Sequence, residues 1–140
     1  MKVRLGLVFF ILMSFFSSYA QTEKQLNEMD EIHQNCLDKG ENMFECANNF
    51  YKQMDSTLNV VYKLLKKQLD TTQFKKLKND EVKWLSERKV NFRKFDKEAQ
   101  TNELGFEIGN TFAQNQKAYF VKDRVLLLLK KLKLNNRTSL

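Results

Sequence analysis

Few residues in this chain could do acid–base, nucleophilic or metal chemistry. His33 is the only histidine, and Cys36 and Cys46 are the only cysteines. One imidazole and two thiols fall short of the four ligands of a structural zinc site. Nine residues separate the cysteines, which is not the C-x-x-C spacing of a redox centre. Asp55 and Glu81 are acids set near apolar stripes, and paired carboxylates can cleave glycosides. Arg88, however, is placed to pair with them, which works against acid–base use. No G-x-S-x-G, H-E-x-x-H or phosphate-binding loop occurs. The expectation is a non-enzymatic protein with no catalytic residue, no metal site and no cofactor.

What remains is chemistry between helices. In "YKQMDSTLNVVY", Met54, Leu58 and Val61 recur at helical spacing. Asp55 and Asn59 lie one turn apart beside that stripe, between Tyr51 and Tyr62. The helix expected from about Met43 to Leu69 carries Ala47, Phe50, Met54, Leu58, Val61, Leu65 and Leu69 on its apolar side. The next, from about Gln73 to Gln100, carries Phe74, Leu77, Trp84, Leu85, Phe92 and Phe95, with Glu81 and Arg88 among them. A short turn near Thr71, with Thr71 or Thr72 as the expected N-cap of the second helix, should make the two helices antiparallel neighbours. Asp55 and Arg88 are then almost equally far from the turn, so they should meet as a partly buried ion pair. Asn59 would bond nearby and Trp84 would form an apolar lid. Arginine suits that place because its donors form a fork. Such a pair adds little stability but sets register, since a slipped helix would strand a charge at a cost of about 3–5 kcal/mol.

Two further helices complete the pattern. One spans about Glu23 to Asp38, with Leu26, Met29, Ile32, His33 and Cys36 on one side. The last spans about Thr111 to Leu134, where "VLLLL" is apolar all round and so fits coverage on more than one side. "TNELGFEIGN" reads as the longest loop and "NNRTSL" as a frayed tail. The fold class is therefore all-α: a small antiparallel bundle of about four helices. The chain has no proline, in keeping with long helices and few turns.

The amino terminus reads as a signal peptide over residues 1–20. Lys2 and Arg4 precede the uncharged "LGLVFFILMSFF", and "SSYA" supplies a small-residue cleavage site. The apolar run is too short to span about 30 Å of hydrocarbon, so no stable membrane anchor is expected after cleavage. Residues 21–140 are expected to make one exported domain. In that oxidising setting Cys36 and Cys46 are expected to form a disulfide. They bracket "DKGEN", where Gly40 suits a helix end and Asn42 with Glu45 resembles a capping box. The result is one disulfide-pinned helical corner.

The formal charge is +7, unevenly spread. Residues 21–59 hold eight acids and three bases; residues 60–100 hold six acids and twelve bases. Nucleic acid is not expected as the partner of an exported protein. Glu28, Asp30, Glu31, Asp38, Glu41 and Glu45 form a candidate partner-binding acidic face.

"ECANNFYKQMDSTLNVVYKLL" with "LKNDEVKWLSER" resembles the lysozyme-inhibitor LprI-like N-terminal domain family. Cys46, Tyr51, Asp55, Leu58, Asn59 and Tyr62 match its Cys and Y-x-x-x-D-x-x-L-N-x-x-Y pattern. Leu77, Trp84, Leu85 and Arg88 match its second pattern, although Glu81 stands where glutamine is usual. "VKDRVLLL", through Arg124 and Leu127, is similar to a weaker closing element. The downstream cysteine of many members is missing, which leaves Cys36 and Cys46 to each other. The resemblance implies a helical protein of the bacterial envelope, periplasmic or secreted, that binds and inhibits lysozyme or another cell-wall hydrolase. The alternative is a structural or interaction module of the envelope with no lysozyme target.

Overall fold

The computed structural model describes residues 22–101, 103 and 105–138. They form four helices, with no strand among the described residues. Helix α1 covers 22–38, α2 Met43–Gln68, α3 Thr71–Gln100 and α4 Phe106–Thr138. The expected signal peptide lies outside the described residues. No described helix is long and apolar enough to cross a membrane.

Local chemistry sets the helix ends, and in four places it differs from expectation. Gly40, at φ 70°, closes α1 by donating its N–H to the Leu37 carbonyl at 2.9 Å. Asn42 precedes α2 but forms no capping box. Its backbone is left-handed (φ 51°), and only its carbonyl enters the helix, accepting from the Cys46 N–H at 3.1 Å. At the next turn Asp70, not Thr71 or Thr72, is the cap. Its Oδ1 accepts from the Gln73 N–H at 2.8 Å, and Gln73 Oε1 accepts from the Asp70 N–H at 3.1 Å. A carboxylate satisfies a free amide as a hydroxyl would and also faces the positive end of the helix dipole. Helix α4 starts earlier than the two glycines suggested. Gly105, at φ 103°, makes the turn, while the Gly109 N–H donates to the Gly105 carbonyl at 2.9 Å and belongs to the helix. At its other end α4 takes in residues 135–138, which read as frayed tail.

The core is organised around α4. Ala118, Val121, Val125, Leu128, Leu129 and Leu132 are buried along it. Helix α2 packs most closely on α4, through Phe50, Met54, Leu58, Val61 and Leu65, and α3 packs on it through Leu77 and Trp84. Helices α2 and α3 run antiparallel but their backbones scarcely approach each other. The expected α2–α3 seam is instead bridged by long side chains, with α4 as the common partner. Burying so many branched and aromatic side chains is the main favourable contribution to this fold.

Three apolar assignments change. On α1, Ile32 is 61% exposed, while His33, expected on the same side, is buried. On α3, Leu85 faces solvent. In the apolar run of α4, Leu126 and Leu127 face outward while Val125, Leu128 and Leu129 face in.

Candidate functional site

The polar cluster expected on the α2–α3 seam is built around Arg88. Its Nη2 donates to Asp55 Oδ1 at 2.7 Å and to the Tyr51 hydroxyl at 2.5 Å. The guanidinium also lies 5.0 Å from the Phe92 ring centre and 5.6 Å from that of Trp84. Arg88 therefore has a carboxylate on one side and aromatic faces on the others. Cation–π attraction offsets part of the cost of removing its water. Asn59 takes no part: it is exposed and donates to the Asp55 carbonyl of its own helix at 2.9 Å. Leu58 is buried in the core behind the cluster. Tyr62 sits farther along α2, half-buried against Phe74 at 6.1 Å. Burial pushes its hydroxyl pKa up, and the nearby Glu81 carboxylate pushes the same way.

Glu81 pairs with Arg124 of α4, not with Arg88. Arg124 Nε and Nη2 reach Glu81 Oε2 at 3.1 and 2.7 Å, and Nη2 also reaches Asp80 Oδ2 at 3.1 Å. Lys131 closes the network on Asp80 at 3.0 Å. The Lys131 hydrogen bond, with help from the charge of Arg124, holds Asp80 below the usual carboxylate range against the opposing effect of burial. Trp84 stands between the two arginines, 5.6 Å from Arg88 and 5.5 Å from Arg124, and stacks on Phe120 of α4 at 5.7 Å. One indole thus joins two ion-pair groups that hold three helices. The sequence signal for Arg124 was its place on the buried α4 stripe, between Val121 and Leu128. A charge in such a stripe needs a buried partner. Asp55 and Glu81, each held by a separate arginine, are not arranged as an acid–base pair.

At the other end of α2, Cys36 and Cys46 are joined, with Cα atoms 5.8 Å apart. Beside them His33 stacks on Phe50, ring centres 4.2 Å apart, and meets the edge of Tyr119. Neither imidazole nitrogen has a well-formed hydrogen bond, nor has Asn115 Oδ1. Burial pushes the His33 pKa below its ordinary value. The neighbouring Asn115 side chain, Cys46 backbone and Asp30 charge oppose that shift, and the Lys122 charge adds to it.

The acidic face is mostly, not wholly, presented. Glu28, Glu31, Asp38, Glu41 and Glu45 are exposed. Asp30 turns toward α4 and accepts from Lys122 at 2.6 Å. Exposed Ile32 and Phe44 sit among the acids. Among the described residues, no group of three or more His, Cys, Asp or Glu is gathered as metal ligands would be.

No curated protein and no solved structure matches the chain. Residues 33–128, well over half the chain and including the disulfide corner and both arginine clusters, match the model of the family described as lysozyme inhibitor LprI, and the protein belongs to that family.

Proposed function

We propose that this protein is an exported, non-enzymatic binding protein that inhibits lysozyme or a related cell-wall hydrolase. The family match over residues 33–128 carries the reading. The amino-terminal sequence pattern supports export to the periplasm or beyond. A protein that acts by binding needs a rigid body and an accessible face. The arginine clusters and the disulfide supply rigidity here.

The binding face proposed is the outer side of α1 and the corner beyond it. Glu28, Glu31 and Asp38 recur at helical spacing on α1, and Glu41 and Glu45 continue the acidic surface across the corner. Ile32 and Phe44 offer apolar anchors inside this acidic rim. An apolar centre with a charged rim is the usual anatomy of a protein interface. A basic enzyme would be steered toward it by complementary charge. Asp30 contributes less, being paired with Lys122.

The test is a pull-down of the oxidised protein against purified muramidases, followed by a cell-wall lysis assay. Glu31→Lys, Asp38→Lys and Glu41→Lys together should slow association markedly while leaving the fold intact. Inhibition at an unchanged rate would reject the face, and absence of any muramidase complex would reject the function.

A further inference from the structure

The opposite end of the bundle differs in character. There the end of α2, the start of α3 and the last turns of α4 enclose an open cavity of about 510 Å³. Leu65 and Leu77, both buried, form its floor, and Leu69 and Leu134 form its walls. Leu134 remains 52% exposed, an apolar side chain at the rim with its outer face in water. The volume is that of a small-molecule site.

The mouth is basic. Lys76 and Lys131 line it, with Asp80 as the acid among the lining residues. The nearby acids are already engaged: Asp70 caps α3, and Asp80 is bonded to Arg124 and Lys131. The positive charge around the cavity is therefore only partly offset.

We propose that this cavity binds an anionic amphiphile, a single hydrocarbon chain ending in a carboxylate or phosphate. The chain lies on Leu65, Leu69, Leu77 and Leu134, and the head group sits between Lys76 and Lys131. Apolar burial supplies affinity, and the lysines select the sign of the head group. This site is distinct from the acidic face and does not depend on lysozyme binding.

The experiment is displacement of a fluorescent fatty acid from the oxidised protein by probes kept below their micelle concentrations. Dodecanoate and dodecyl phosphate should both displace it, and their ratio tells which head group is preferred. Dodecanol should be about tenfold weaker, and dodecyltrimethylammonium weaker still. From octanoate to dodecanoate, each added methylene should tighten binding by roughly fourfold until the cavity is full. Lys76→Glu, on an exposed helix position, should weaken dodecanoate about tenfold with unchanged helicity and melting temperature. Leu134→Gln should weaken all chain-bearing probes alike. Equal binding of dodecanol and dodecanoate, or of dodecanoate to Lys76→Glu and the parent, would overturn the proposal. So would displacement by inorganic phosphate alone.

Discussion

Arg124, only 6% exposed at the middle of α4, donates from Nε and Nη2 to the same Glu81 oxygen of α3. That contact fixes the height at which α3 sits on the central helix. It is more deeply buried than the Arg88–Asp55 pair on the neighbouring seam. Glu81→Ala leaves a buried guanidinium with only the more exposed Asp80 as partner. The expected loss is about 3 kcal/mol in urea unfolding. Arg124→Met on top of Glu81→Ala should recover part of that loss. Strict additivity of the two single changes would show that they are not coupled.

The Arg88 cluster is more open to solvent, so its contributions should be smaller. Tyr51→Phe removes one hydrogen bond to Arg88 and should cost about 1 kcal/mol. Asp55→Asn should cost a similar amount or slightly more, since it also removes the charge. A double-mutant cycle between Asp55 and Arg88 should give a clear coupling energy, measured by chemical unfolding. Zero coupling would mean that the pair does not lock the seam.

Two adjacent leucines of α4 test the assignment of its faces. Leu128 is fully buried and Leu127 is 44% exposed. Leu128→Ala should cost about 2–5 kcal/mol by leaving a cavity. Leu127→Ala should stay within about 0.5 kcal/mol of the parent. Similar losses at both sites would mean that α4 is rotated from the position described.

His33 makes stability depend on pH in a defined direction. Burial lowers its pKa in the folded state below the ordinary 6.5 that the unfolded chain keeps. The unfolded state then binds more protons just below 6.5, so stability is full above that value and falls as pH drops through the window. The charges of Asp30 and Lys122 face the same site, the first opposing the shift and the second adding to it. His33→Phe should flatten this part of the stability–pH curve while keeping the stack on Phe50. Asp80 acts in a separate window: its depressed pKa adds stability above about 3.8 that is lost as pH falls further. An unaltered curve in His33→Phe would assign the acid sensitivity elsewhere.

Reducing the Cys36–Cys46 disulfide opens a short loop. The expected loss is about 2–3 kcal/mol of global stability. Thermal melts with and without reductant measure it. The loss should appear with the Arg124 cluster intact, because the corner and that cluster lie in different parts of the bundle.

Much of this protein was legible from residue order alone. The α2 stripe from Ala47 to Leu65 is strictly periodic, and all of its expected positions up to Leu65 are buried. Two equidistant partners across a short turn brought Asp55 to Arg88. Two cysteines around a glycine turn formed the corner. Each of these depends on local spacing or on a turn a few residues long, which the chain encodes directly. The helix caps were harder, because Asp70, Thr71 and Thr72 are all competent caps, and only the backbone path chooses among them.

The tertiary structure alone decided which helix stands at the centre. Periodicity shows that a helix has a buried side but not which neighbour buries it, so α4 emerged as the hub only in three dimensions. The same limit hid the partner of Glu81: an acid on an apolar side needs a cation, and both Arg88 and Arg124 qualified. It also turned Ile32 out of the side of α1 it was expected to share with His33, since the flat imidazole fits against Phe50 where a branched chain would not stack. Residue order determines what each helix must hide; the packing of the others determines where it is hidden.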